Sequence, residues 1–296
     1  MRETAHDYLA RVLNLIQENA LNRRKVDWGG FRREAYEAIA DAASPSDAYG
    51  QIRKAIAALN DPHTFFLTPD DVAGAFGEEA TTAAPVPSGR LVDGRYPLVV
   101  LPEATGVEEA DRRYVETGAA LVRELDAHRP GGWIVDLRGN TGGNMYPMMT
   151  VLAPLLADGL LGSFVDGDGQ TTGRWNLRDG IVHHDEEAMS PVPNPYRLTA
   201  PDIRVAVLID GRTMSAAEAT LIAFLGKRNV RTFGEPTAGL ATGNAAIELS
   251  DGAMLVLTAV READRLGRVY GDAPIQPDEI VPTQDALTPA VAWLQT

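Results

Sequence analysis

The chain contains no cysteine, which removes disulfides, thiolate metal sites and a cysteine nucleophile. Basic residues are scarce beside acidic ones, 27 against 41, and the formal net charge is −14. A surface of that sign repels phosphate backbones and anionic lipid, so neither nucleic acid nor a membrane surface is an expected partner. No apolar run reaches the roughly 20 residues that a membrane-spanning helix needs. A G-x-G-x-x-G fingerprint and a Walker A lysine are both absent, which leaves nucleotide readings weak. The first residues carry acids at once and lead into an amphipathic stripe, unlike a secretory signal. The expected location is the cytoplasm, with a mature secreted form left open.

What is present is ample apolar material. Of the 296 residues 45% are hydrophobic, enough to bury the core of one large domain or two modest ones. Leu9, Val12, Leu13 and Ile16 form one stripe, and Tyr49, Ile52, Ile56 and Leu59 repeat at helical spacing. Asp27 and Ser46 are the expected N-caps of the helices that follow them. Asn60-Asp61-Pro62 ends the last of these helices, because proline disfavours helical geometry in the residue before it. Residues 1–68 therefore read as an N-terminal helical subdomain. Residues 69–90, rich in Ala, Gly, Thr and Pro, read as a loop or cap.

From residue 91 to 296 the pattern alternates. Strands are expected at Tyr96 to Leu101, Trp133 to Leu137, Ile203 to Ile209 and Val230 to Phe233, with helices at about 108–128 and 215–227. Residues 162–198 read as excursions of strand and loop, with Asp-Gly turns at 166 and 179, and a hairpin is expected around Asp251-Gly252. Alternating strands and helices predict an α/β core.

Two strand-to-helix turns are candidates for chemistry. Val207-Leu208-Ile209 runs through a polar turn into Ser215, which opens a helix. A serine so placed lies at the carboxyl edge of the sheet, where α/β folds put ligands, beside helix N–H groups able to stabilise an oxyanion. Simple helix capping competes with that reading. The second turn, Asp136-Leu137-Arg138-Gly139-Asn140-Thr141-Gly142-Gly143-Asn144, has paired glycines that can present backbone N–H groups as an anion nest.

Taken together, Asp-Leu-Arg-x-Asn-x-Gly-Gly, then Ser215-Ala216-Ala217-Glu218, then Gly234-Glu235-Pro236-Thr237-x-Gly239 and a Pro-Asp close at Asp278, resemble the S41 serine peptidases. That family includes carboxyl-terminal processing proteases, tricorn core proteases and nisin-resistance proteins. The resemblance covers most of residues 1–285. It implies a helical subdomain packed on a crotonase-like α/β core, with Ser215 as nucleophile. The N–H of Ala216 and that of Gly142 or Gly143 would form the oxyanion hole. A peptide or protein substrate is implied, with no cofactor and no metal.

One departure is informative. Processing proteases pair the serine with a lysine, and the ungapped match from Ser215 places Leu240 at that position. Leucine carries no proton to move, so the base is expected among the five histidines, since imidazole suits neutral pH. His6 and His128 belong to helices, and His183-His184 reads as a solvent-facing loop pair among acids. His63, in Leu-x-Asp-x-His-Thr, resembles the segment that carries the base in tricorn-like and nisin-resistance-like members. Asp272, just before the Pro-Asp close, is the candidate third member that would orient the imidazole. Arg138 and Asp136 are expected to fix the oxyanion turn, and Glu218 to complete a capping box with Ser215. Residues 64–90 are too few to hold a PDZ module. The expected activity is a serine endopeptidase, with the oligomeric state open. An esterase, or a binding protein without catalysis on the same fold, stands beside it.

Overall fold

The fold is described from a computed structural model covering residues 3–76, 82–200 and 202–296. The described residues form two compact units, one drawn from Met1–Gly77, Asp166–Gln170 and Thr242–Arg261, the other from Glu78–Val165, Thr171–Ala241 and Glu262–Thr296.

In the first unit three helices surround one apolar cluster. Helix α1 (Ala5–Asn19) buries Tyr8, Leu9, Val12, Leu13 and Ile16, and the Thr4 side chain accepts from the Asp7 N–H at its start. Helix α2 (Trp28–Ala38) is capped by Asp27, as expected, through the Gly30 N–H. Helix α3 (Tyr49–Ala58) is not opened by Ser46. A short 3₁₀ turn, Pro45–Ala48, precedes it, and there Asp47 accepts from the N–H groups of Ala43 and Ser44. Proline at the first position of that turn moves the cap back to Ser44, since it has no N–H to satisfy.

Strand β1 (Phe65–Leu67) and helix α4 (Pro69–Phe76) follow. The expected loop or cap over 69–90 thus begins as a helix, while its residues 77–81 lie outside the described residues. The hairpin expected around Asp251 is present, and Leu249, Leu255 and Leu257 bury their side chains with the N-terminal helices. The Asp251 carboxylate accepts from the hydroxyls of Tyr8 at 2.9 Å and Tyr49 at 2.5 Å, which ties the turn to α1 and α3.

The second unit is built on a six-stranded sheet. Strands β2 (Ser88–Val92), β3 (Tyr96–Val100), β4 (Trp133–Asp136), β9 (Val205–Ile209), β10 (Val230–Gly234) and β14 (Glu279–Ile280) lie in the order β14-β10-β9-β4-β3-β2. All neighbours are parallel except the edge pair of β2 and β3. Every residue of β4 and β9 is buried, because helices cover both faces and the sequence reads as a continuous apolar run. Val205, Val207 and Ile209 face a cluster with helices α5 (Glu108–Asp126), α6 (Met145–Val151) and α8 (Ala216–Ile222). Ala206 and Leu208 face the opposite cluster with helix α9 (Leu287–Leu294). Between α6 and α8 the chain forms a short helix, α7 (Ala153–Leu156), and an antiparallel meander of β5 (Gly159–Asp166), β6 (Thr171–Arg178), β7 (Ile181–His184) and β8 (Glu187–Ala188). Its Asp179-Gly180 turn has positive φ at both residues, the geometry of a tight hairpin. The pair His183-His184 therefore lies on a strand rather than in a loop, and the His184 ring meets Phe164 edge-on at 5.3 Å. The alternating pattern of the sequence and the α/β architecture agree.

Candidate active site

Because β4 and β9 are parallel neighbours, the turns after them leave the sheet side by side. Leu137 N–H donates to the Leu208 carbonyl, Thr213 Oγ1 to the Leu137 carbonyl at 2.9 Å, and Met214 N–H to the Asn140 carbonyl at 3.2 Å. Gly139 N–H reaches Asp210 Oδ1 at 3.0 Å. Arg138 forms a two-pronged pair with Asp136 at 2.8 and 2.6 Å and donates to the Thr283 carbonyl at 2.7 Å. The pair expected to hold the turn thus does so, with the forked geometry that makes such bonds strong.

Ser215 ends the turn after β9 and caps α8. Its backbone has φ 53° and ψ −122°, a region costing a residue with a side chain about 1–3 kcal/mol. Strain of this kind persists only where the surroundings hold it. Glu218 supplies much of that hold, and goes beyond the expected capping box. One carboxylate oxygen accepts from the N–H of Ser215 at 3.1 Å and of Leu240 at 2.7 Å, the other from Gly239 N–H at 3.0 Å and from the Thr237 hydroxyl. Its side chain is fully buried, and burial pushes its pKa above the ordinary carboxylate range while the four donors pull it back. Leu240, at the position matched to the lysine of processing proteases, is thus bound through its backbone to the residue that also binds Ser215.

The glycine turn packs directly on this serine. Gly142 and Gly143 have φ of 105° and 97°. A Cβ on Gly142 would lie 2.9 Å from Ser215 Cβ and 3.3 Å from Ala216 N, and one on Gly143 would lie 1.8 Å from the Ala104 carbonyl oxygen. Asn140, whose amide donates to the carbonyls of Leu101 and Pro102, accepts the Gly142 N–H at 2.9 Å. The N–H groups of Gly143 and Ala216 have no acceptor among the described residues. Asn144 fixes the far side of the turn through its N–H to Ala104 and its side chain to Asp111 at 2.7 Å. Gly143→Ala is expected to displace this turn and lower the thermal midpoint, because the added Cβ would overlap the Ala104 carbonyl oxygen.

His63 belongs to the first unit. It is half-buried after α3, and its backbone is pinned on both sides: its N–H donates to Asp61 Oδ1 at 3.0 Å and its carbonyl accepts from Asn244 Nδ2 at 3.1 Å. The ring Nδ1 lies 2.7 Å from Thr242 Oγ1. With Nδ1–H donating to that hydroxyl, Nε2 keeps its lone pair. Burial pushes the imidazole pKa below its ordinary value, and Asp61 opposes this. Thr242, at the start of β11 (Thr242–Glu248), is the ring partner that sequence reasoning missed. Asp272 is exposed on the loop after β13 (Val269–Tyr270), in the second unit. His6 is engaged elsewhere, with the Ile39 carbonyl and stacked on Tyr36, and His183 Nδ1 sits against the Ile181 carbonyl.

A strained serine between a parallel strand and a helix, beside a glycine turn with unpaired N–H groups, is the arrangement found in α/β serine hydrolases. The chain belongs to peptidase family S41, whose model matches residues 111–281. It is similar to the nisin-resistance protein of Lactococcus lactis subsp. lactis, 28% identical over 98% of this chain and 86% of that protein. Among solved structures it is similar to a lipoprotein from Streptococcus agalactiae, with TM-score 0.81 and 24% identity, covering 100% of this chain and 97% of the other. The photosystem II D1 C-terminal processing protease shares the fold at TM-score 0.68 and 15% identity, covering 95% and 94% of the two chains. Among the described residues no helix is long and apolar enough to cross a membrane.

Proposed function

We propose that this protein is a serine endopeptidase acting on peptides or unfolded protein segments, with Ser215 as nucleophile and His63 as general base. Ser215 Oγ attacks the scissile carbonyl while His63 Nε2 takes its proton. The N–H groups of Gly143 and Ala216 bind the oxyanion, so of the two glycines Gly143 is assigned the donor and Gly142 the close contact with the serine. The imidazolium then gives its proton to the leaving amine, and water activated by the same ring releases the acyl-enzyme. Thr242 meets Nδ1, and Asp272 is kept as the third member that would steady the imidazolium. No step requires a metal or an organic cofactor.

The observation that carries this reading is the strained Ser215 beside two N–H groups without acceptors. A fluorophosphonate probe followed by mass spectrometry tests it. Labelling confined to Ser215 is the expected result; a folded protein that takes up no label is a binding protein instead. Comparing peptide with ester turnover separates the endopeptidase from an esterase that would use the same acyl chemistry. The cytoplasmic location is likewise a proposal, which fractionation of the producing cells decides.

A further inference from the structure

Glu262 takes no part in these steps. It lies on β12 (Met254–Asp264), is 2% exposed, and its N–H donates to the carbonyl of Ala241 at 3.2 Å, one residue beyond Leu240. Among the described residues its buried Oε2 has no hydrogen-bond partner. The titratable groups that face it are Glu218 of α8 and Tyr146 of α6, and Tyr146 in turn faces Glu187 and Asp185 at the end of the meander. The charge that bears on Glu262 is thus that of Glu218. An ionised carboxylate there would be unpaired, desolvated and repelled by Glu218, and a neutral acid avoids all three costs.

We propose that Glu262 is a positioning residue for the nucleophile turn, held as a neutral carboxylic acid so that Glu218 is the one buried negative charge binding the N–H groups of Ser215, Gly239 and Leu240. The inference rests on the reading of Ser215 as the nucleophile. Burial first, and then the charge of Glu218, push Glu262 well above the ordinary carboxylate range. The Glu218 carboxylate faces four donors, so it holds the turn only while it accepts from all of them. Should Glu262 lose its proton, repulsion would favour protonation of Glu218. A protonated Glu218 is a weaker acceptor for the N–H groups of Ser215, Leu240 and Gly239, and its O–H can be received only by the Thr237 hydroxyl, so the clamp on the turn loosens.

Infrared spectroscopy and kinetics together test this. The native protein should show the carbonyl band of a protonated carboxylic acid at neutral pH, and Glu262→Gln should lack it. Native kcat/KM should fall about tenfold for each pH unit beyond the ionisation of Glu262, over the interval in which that band disappears. Glu262→Gln, neutral at every pH, should match the native enzyme at neutral pH and keep its plateau through that interval. Should the glutamine variant not fold, Glu262→Met, neutral and of similar length, takes its place. The proposal is overturned if the band is absent at neutral pH, if activity is indifferent to its loss, or if the neutral variant retains the native alkaline fall. Turnover that survives Ser215→Ala removes the nucleophile assignment instead, a result independent of the infrared band.

Discussion

Ser215→Ala is expected to remove peptide turnover altogether while the protein stays folded. Loss of a serine nucleophile that works as a unit with its base costs about 10⁶-fold in kcat, far beyond the effect of any other single change proposed for this chain. The fold should tolerate the change because what holds position 215 is its backbone. The N–H that donates to Glu218 is kept in alanine, and alanine meets the same strain at φ 53° as serine does. The helix loses only a capping hydroxyl, worth about 0.5–2 kcal/mol at most. Cleavage of a diverse peptide mixture, read by mass spectrometry beside the thermal midpoint, measures both halves. Cleavage at the native rate by the purified variant would remove Ser215 from the chemistry. Lost cleavage together with a collapsed midpoint would assign the residue to the fold.

Much of the scaffold of this site is local, which is why it is legible in the sequence. The apolar runs at Trp133 to Asp136 and Val205 to Ile209 announce strands buried on both faces, and the polar turns that follow must then leave the same edge of the sheet. The serine and the paired glycines sit in those two turns and the glutamate in the first turn of the helix that follows, so their types and spacing suffice to nominate them. Glu218 is legible as a capping partner three residues from Ser215, but its bonds to Thr237, Gly239 and Leu240 are long-range and leave no periodic trace. Thr242 reads as an ordinary strand residue, and only the fold brings it to His63, 179 positions away in the chain. Glu262 is concealed further, because Val-Arg-Glu-Ala-Asp looks like the polar end of an exposed hairpin, whereas Glu262 and Asp264 are in fact buried. Polar groups buried through tertiary contacts break the rule that charge marks the surface, and such exceptions gather at functional sites.

His63→Ala is expected to lower kcat/KM by about 10²- to 10⁴-fold, the usual contribution of a general base. The loss should fall on acylation, so labelling of Ser215 by the fluorophosphonate should slow in parallel. The pH profile of the native enzyme gives a sharper reading, because the direction of the shift is known. A general base works only when neutral, so kcat/KM must rise as the imidazole gives up its proton. Burial favours the neutral ring and pushes its pKa down, Asp61 only partly opposing it. The rising limb should therefore lie on the acid side of an ordinary histidine, with activity already on its plateau at neutral pH. Thr242→Val removes the hydroxyl that meets Nδ1 but keeps the shape of the side chain. The ring then loses the bond that selects its tautomer, and kcat should drop with little change in KM. A limb that is unmoved by His63→Ala, or one that rises only in alkaline solution, would assign the base to a lysine and leave His63 a structural corner. Equal kcat in Thr242→Val and the native enzyme would show that the orientation of the ring is set elsewhere.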